Sequence, residues 1–338
     1  MSTLKEVAKQ AEVSITTVSR VMNDVEKVNP QTRQRVEQAM KILGYQPNRV
    51  AQRLRTSKGQ SKLLGLIIPD IKNQFYSNIV RGIEDVSYQK NYAVILCNSD
   101  ENPAKEKFYL EVLRSESVDG VILPPIHQYG KVIEGLIESG IPIVCVDRKL
   151  TRESIDTVVV DNVKGGRIAV SHLIDLGHKH IAILTSAPHF SSFEDRQKGY
   201  EMALSQHQIP VNSHFIKEGD TKSAEHAKEL TFELLNQNPR PTAIFATNNL
   251  MTLGALEAIN EFGLKIPDDI SIVGFDDMPW AKAISPPLTV IRQPAYEMGR
   301  RAAELFFQRV DDPGRETVQV IMDPELIIRS STKEPAQL

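Results

Sequence analysis

The chain has 338 residues, 41% hydrophobic and 6% aromatic, with 40 Lys and Arg against 43 Asp and Glu. That length and apolar share exclude a disordered or low-complexity chain and call for more than one packed core. The net charge of -3 is unevenly spread: residues 1–60 carry eleven Lys and Arg against five acids, a net of +6, leaving -9 for the rest. A basic end on an acidic body points to a polyanionic partner, because neutralising phosphates releases counterions and drives association. No apolar run is long enough for a membrane span and the chain opens on a charged amphipathic segment, so a cytoplasmic protein is expected, with no membrane partner. Cys97 and Cys145 are the only cysteines. Both fall in apolar runs and are expected as buried free thiols.

Residues Thr3 to Asn23 predict two short helices. Leu4, Val7, Ala8 and Ala11 share one face at helical spacing, and Thr3 with Glu6 forms a capping-box pattern. After a break at Glu12 and Val13, Ser14 is the expected N-cap of a second helix. Val18, Val21 and Met22 face inward there, leaving Ile15, Thr16, Ser19 and Arg20 outside. A tight-turned helix pair with an exposed polar and basic face is the helix-turn-helix arrangement, whose second helix lies in the major groove. Asn29 and Pro30 serve as N-cap and N1 of a third helix, Gln31 to Leu43, closed by Gly44. Tyr45 to Ser61 reads as a linker with a short helix candidate, Asn48 to Arg55. A helix this short is unstable alone and fits a flexible tether. Leu54 is a large apolar residue set among Gln52, Arg53, Arg55 and Lys58, which the tether reading leaves unexplained.

From Leu63 onward, apolar runs alternate with helical patterns: LLGLIIP, YAVILCNS, DGVILPP and IPIVCVD, then TVVVDN, HIAILTSA, HFIKEGD, TAIFATN and ISIVGFDD. Uniformly apolar strands separated by helices predict an α/β fold of parallel sheets with right-handed crossovers. The length calls for two doubly wound subdomains. Parallel sheets bind ligands beyond the carboxyl ends of their strands. Those ends carry Asp70 to Tyr76, Asn98 to Asp100, Asp147 and Arg148, Asp161 and Asn162, Ser186, Asn248 and Asn249, and Asp276 and Asp277. Arg196 opens the helical stretch RQKGY. Carboxylates, amides and a guanidinium converging from both halves suit a polyhydroxylated ligand, with Phe75 or Tyr76 offering a ring face. Any one of these alone reads as well as a helix cap or a solvated acid. Catalysis is not expected: adjacent Asp276 and Asp277 point to different faces, and Ser186 with His189 lacks an orienting third group. The His178 and His180 pair follows Gly177 as a helix end leading into a strand, so no metal and no cofactor are expected.

Taken together, ITTVSRVMN, VNPQTRQRV and LGYQPNRVAQRL in this order and spacing resemble the transcriptional repressors of the lactose and galactose repressor (LacI) family, over essentially the full length. The resemblance implies a helix-turn-helix domain over 1–47, a hinge helix and linker over 48–61, and a periplasmic-binding-protein-like effector-binding and dimerisation domain over 62–338. Within that domain the implied N-subdomain is about 62–160 and 291–322, and the C-subdomain about 161–290 and 323–338. It implies base reading by Ile15, Thr16 and Arg20, and backbone contacts by Ser14, Thr17, Ser19, Asn23 and Thr32. Arg forks onto guanine and Ile meets a thymine methyl, which fits those roles. It further implies a minor-groove hinge of Asn48, Ala51 and Leu54, and an effector site of Phe75, Asp147, Arg196, Asn248 and Asp276. Expected partners are pseudo-palindromic operator DNA, a sugar or polyol effector, and a second copy in a homodimer. Glu12 departs from the Gly common at the turn. Asn249 stands where Asp is usual, and Thr221 falls near a common stacking aromatic, which favours a pentose, hexose or polyol over a purine. The alternative is a catabolite-control-type regulator with a phosphorylated carrier protein as corepressor, although Ala303 and Glu304 sit where its phosphoserine-binding Arg is expected.

Overall fold

The computed structural model describes residues 2–23, 28–45, 61–126, 131–150, 155–186, 190–220 and 222–336, and the chain divides into two compact units at Ser61 and Lys62. In the first unit, α1 (Leu4–Gln10), α2 (Ile15–Asn23) and α3 (Pro30–Ile42) enclose a small core. Val7, Ala8, Ala11, Val18, Val21, Val36 and Ala39 are buried in it, so the inward face read from the periodicity is the packed one. Both halves of the Thr3–Glu6 capping box form, and Asn29 caps α3 by accepting from the Gln31 amide.

The second unit contains two sheets of six strands each. The first has β1 (Leu63–Ile68), β2 (Ala93–Asn98), β3 (Val121–Leu123), β4 (Ile143–Val146), β5 (Asp156–Val160) and β11 (Gln319–Met322), in the order β11-β5-β4-β3-β1-β2. The second has β6 (Ile181–Ser186), β7 (Ile216–Gly219), β8 (Ala243–Ala246), β9 (Ser271–Phe275), β10 (Thr289–Arg292) and β12 (Glu325–Ile327), in the order β12-β10-β9-β8-β6-β7. The two orders are the same topology used twice. Every pairing is parallel except β10 with β12.

Helices cover both faces of each sheet, which is why the strands read as continuous apolar runs. On the first sheet, Leu64, Leu66 and Ile68 face α4 (Gln74–Gln89) and α11 (Ala295–Asp311). Ile67, Val121, Leu123 and Cys145 face α5 (Pro103–Ser115) and α6 (Lys131–Glu138). The second sheet is enclosed by α7 (Asn162–Asp175) and α8 (Ser191–Gln206) on one side and α9 (Ala224–Leu235) and α10 (Asn249–Glu261) on the other. Because α11 and β11 pack with the first sheet while β10 and β12 join the second, the chain passes between the lobes after β5, after β10 and between β11 and β12. In both sheets β1 or β6 is the strand from which the order reverses, and the crevice beyond such a switch point is where ligands settle.

Candidate functional site

Two places carry unusual chemistry, one in each unit. In the first, Ile15, Thr16 and Arg20 stand exposed on one face of α2, with Ile15 47% exposed. Leaving a large β-branched side chain in water has no packing reason. Ser14 caps the helix by accepting from the Thr17 amide at 3.0 Å, and its Oγ lies 2.8 Å from Thr17 Oγ1. Ser19 and Thr32 are half-buried at the rim, and Asn23 ends α2. Glu12, in the turn, adopts a left-handed φ of 53°. That conformation costs a non-glycine residue about 1 kcal/mol, so the departure from Gly is accommodated by strain and not by a different turn. Asn48, Ala51 and Leu54 lie outside the described residues.

In the second unit the carboxyl ends of the two sheets face one another across a cleft. Phe75, Asp147, Arg196, Asn248 and Asp276 all line it. Asp147 follows β4 and Asp276 follows β9, at matching places in the two lobes. Both take left-handed φ values, 67° and 77°. Strained carboxylates at corresponding strand ends are a sign of a site. Asp147 accepts from Tyr76 Oη at 2.9 Å, and Asp276 accepts from Gln293 Nε2 at 2.6 Å. Burial pushes the Asp276 carboxyl up to about 6, against the opposing pull of Arg196 and Gln293.

Arg196 is 3% exposed. Its Nε donates to Asn162 Oδ1 at 2.8 Å, its Nη1 to the Thr247 carbonyl at 2.6 Å, and its guanidinium lies 3.7 Å from the Phe275 ring centroid. Burial draws its pKa down, while Asp276 and Asp147 oppose the loss of charge. Arg196 sits inside α8, which begins at Ser191; the sequence hid that start because Phe190 at the N-cap makes no side-chain capping bond. Asn248 caps α10 through the Met251 amide while its side chain lines the cleft, so the cap and site readings hold together. Asp277 turns away and pairs with Arg329 at 2.8 Å.

Arg148, read from the sequence as a strand end, lines the wall too, and residues that the sequence left unselected complete it: Glu101, Lys222 and Gln293. Gln293 directly follows β10, a strand-end signal that was readable. Glu101 enters through two successive left-handed residues, Asp100 and Glu101, which no spacing rule announces. The cleft is also bridged. Asn249 Nδ2 donates to Asn73 Oδ1 at 2.8 Å, and Lys222 Nζ to the Asp100 carbonyl at 3.1 Å. Asn73 Oδ1 already accepts the Phe75 amide, which fixes its orientation and makes Asn249 the donor. Among the buried side-chain atoms without a hydrogen-bond partner, Arg148 Nε and Nη1, Asn249 Oδ1 and Gln293 Oε1 lie at or beside the cleft, with Arg148 Nε still 3.6 Å from Asp147 Oδ2, while others such as Ser87 Oγ and Thr185 Oγ1 belong to residues that do not line it. Buried polar groups are rarely left so, and both donors and acceptors are among those at this cleft. Elsewhere, His178 is fully engaged with Thr242, Ser271 and the Lys333 carbonyl, and Cys97 and Cys145 are buried and free. Among the described residues no group of His, Cys, Asp and Glu is arranged to hold a metal ion, and no helix is long and apolar enough to cross a membrane.

A DNA-reading helix pair followed by a two-lobed ligand cleft defines a ligand-responsive transcriptional regulator, and the comparisons agree in both parts. Residues 3–48 match the bacterial regulatory proteins of the lacI family, and residues 170–332 match the periplasmic binding protein-like domain. The chain is 36% identical to the HTH-type transcriptional repressor PurR of Histophilus somni, over 98% of its own length and 99% of the relative's. The chain belongs to the LacI family of DNA-binding transcriptional regulators. The lac repressor dimer bound to operator and the anti-inducer ONPF aligns at 30% identity and a TM-score of 0.86, over 98% of this chain and 99% of that one. The transcriptional regulator CelR in complex with cellobiose aligns at 30% identity and a TM-score of 0.75, over 98% and 100%.

Proposed function

We propose that the protein is a repressor of carbohydrate-utilisation genes that binds a pseudo-palindromic operator as a homodimer in the cytoplasm and is released or recruited by a neutral monosaccharide or polyol. The observation that carries this reading is the set of unpartnered buried donors and acceptors around the cleft, because a ligand offering several hydroxyls meets both kinds. The lining holds four carboxylates, Asp70, Glu101, Asp147 and Asp276, against the cations Arg148, Arg196 and Lys222, which disfavours a phosphorylated sugar. Phe75 and Tyr76 offer apolar rings to a sugar face. A two-fold operator needs two heads, and the lac repressor relative is a dimer on its operator. Ile15, Thr16 and Arg20 are the proposed base readers, with Ser14, Thr17, Ser19, Asn23 and Thr32 on the phosphates and Asn48, Ala51 and Leu54 in the minor groove. A phosphorylated carrier protein is not favoured, since Ala303 is fully buried and Arg300 and Arg301 are both paired to Glu304. Thermal-shift screening of the full chain against monosaccharides, disaccharides, sugar phosphates and nucleobases tests the effector class. A monosaccharide at a hundredfold excess over its dissociation constant should stabilise the protein by about 3 kcal/mol. Stabilisation by nucleobases or sugar phosphates alone would overturn it.

A further inference from the structure

The segment after β12 seals the amino ends of β9 and β10, at the opposite end of those strands from the cleft. Ser331, fully buried, is the stitch: its Oγ accepts the Thr289 amide at 2.8 Å and donates to the Ile272 carbonyl at 2.7 Å, while its own carbonyl accepts the Ile272 amide at 3.0 Å. Before it, the Arg329 amide donates to Thr289 Oγ1 and the Ser330 amide to the Pro287 carbonyl, both at 3.0 Å. After it, the chain meets two histidines. His172, on α7, brings Nε2 within 2.9 Å of Thr332 Oγ1. His178, 1% exposed in the turn before β6, places Nε2 2.9 Å from the Lys333 carbonyl and Nδ1 2.9 Å from Thr242 Oγ1. We propose that residues 329–335 form a proton-released strap: neutral His172 and His178 hold it on β9 and β10, and proton uptake by them in mild acid lifts it while the rest of the lobe stays folded. The strap does not touch the cleft, so the proposal stands apart from the ligand reading above.

The bonding pattern fixes the state of His178. A carbonyl only accepts, so Nε2 carries the hydrogen and Nδ1 accepts from the Thr242 hydroxyl. A second proton would place a charge among the Thr242 and Ser271 hydroxyls and a carbonyl, with no anion in contact. Burial accordingly draws both histidines below their ordinary value, and a charge on His172 lowers His178 further. The surrounding charges leave this intact. Asp175 favours a charged His172 but is outweighed by burial. Ahead of β9, Asp268 is paired with Lys333 Nζ and Asp269 accepts the Lys265 amide. Arg240, on the rim of the cavity that His178 lines, adds a like charge. Lys179 and Glu334 are exposed, and the His180 ring packs against Phe215. Once the strap lifts, both rings reach water and take up protons at about 6.5. Closure is therefore firmest above about pH 6.5, and each histidine loosens it by up to about tenfold per pH unit below that. Ser330 to Glu334 carry no large apolar side chain, so release exposes little hydrophobic surface and can stay local.

Hydrogen exchange on the full chain reads the strap through the amides of Ile272 and Thr289, which it covers, and of Ser330 and Lys333, which it carries. After division by the intrinsic rate at each pH, their opening should rise at least about tenfold from pH 7.5 to 5.5, while amides in β6 and β8 change less than about twofold. The double variant His172→Gln with His178→Gln keeps a donor at each site and cannot titrate, so these amides should lose their pH dependence. Ser331→Ala removes the stitch. It should raise opening at both pH values, and His178 should then titrate near the free value by NMR, above its position in the wild type. Opening independent of pH in the wild type overturns the proposal, as does an unchanged pH dependence in the double variant. An equal rise across every strand of the second sheet would be unfolding of the lobe and overturns it as well. If the double variant does not fold, the wild-type exchange together with the His178 titration in wild type and Ser331→Ala decides the matter.

Discussion

At the scale of single residues, the two sites place charge where its surroundings give it a task. Asp276 is the clearest case, because burial raises its carboxyl to about 6 while Arg196 and Gln293 pull the other way. Its folded-state pKa lies above the unfolded one, so folding favours the protonated form. The resulting destabilisation is absent below about pH 4 and complete above about pH 6. A sugar hydroxyl donating to the ionised carboxylate reverses this, so sugar should bind more tightly as pH rises through 6 and release a proton on binding near that pH. Calorimetric titration in buffers of different ionisation heat measures the proton count; zero release between pH 5 and 6 would mean that the sugar leaves Asp276 untouched. In the other unit, Arg20→Ala should weaken operator binding by roughly tenfold to a hundredfold and barely change binding to random DNA. Equal losses on both in a gel-shift titration would reduce Arg20 to a phosphate contact.

Elements hold those residues in place by close backbone approach. α7 and α8 touch at Gly166 and Gly199, where an added Cβ would lie 2.2 Å from the Arg196 and Val163 carbonyl oxygens respectively. α4 and α11 repeat the device in the first lobe, with Gly82 facing the Tyr296 carbonyl and Gly299 facing that of Ile79. The second-lobe contact bears directly on the cleft, since it fixes the height of α8 against α7 and Arg196 bonds to Asn162 at the head of α7. Gly199→Ala must part the helices, which costs about 1–3 kcal/mol as an overpacked contact. It should lower the melting temperature and weaken sugar binding without altering the net charge of the cleft. A variant that melts lower yet binds sugar like the wild type would separate the helix contact from the position of Arg196.

For the whole molecule, the question is how a cleft in one unit governs DNA held by another. The linker between them carries Leu54 among basic residues. On the proposed hinge reading, a short helix there would gain its partners from a second copy and the minor groove together. Leu54→Ala should therefore bind operator weakly and respond little to sugar, while phosphate contacts keep its nonspecific affinity near wild type. Hydrogen exchange over residues 48–58 gives the direct reading: protection should rise with operator and change again when sugar is added. Equal protection in every state would leave the switch without its hinge. Such a switch has only the strength of the sugar's preference for one lobe arrangement over the other, which places the lobe-bridging contacts at its centre.

Period and composition determined a good deal. The inward stripe of α1 and α2, the caps at Thr3, Ser14 and Asn29, and the alternation of buried strands and helices are local, and each sets one element regardless of the rest. Strand ends could be read for the same reason, so Asp147, Asn248 and Asp276 could be named before any strand order was known. Phe75, in the stretch after β1, and Arg196, in RQKGY, could be named as candidates in the same way, and the family resemblance then selected them. What the sequence alone could not supply is which ends meet. Glu101 reaches the cleft through two left-handed residues, the Arg148 guanidinium lies over the ring of Phe190 from the opposite lobe, and Asn249 bonds Asn73 far away in the chain. These depend on the closed distance between two sheets whose strands come from separated stretches of the chain. No local pattern records that distance, because it is set by the sum of packing across three chain crossings, and only the tertiary structure decides it.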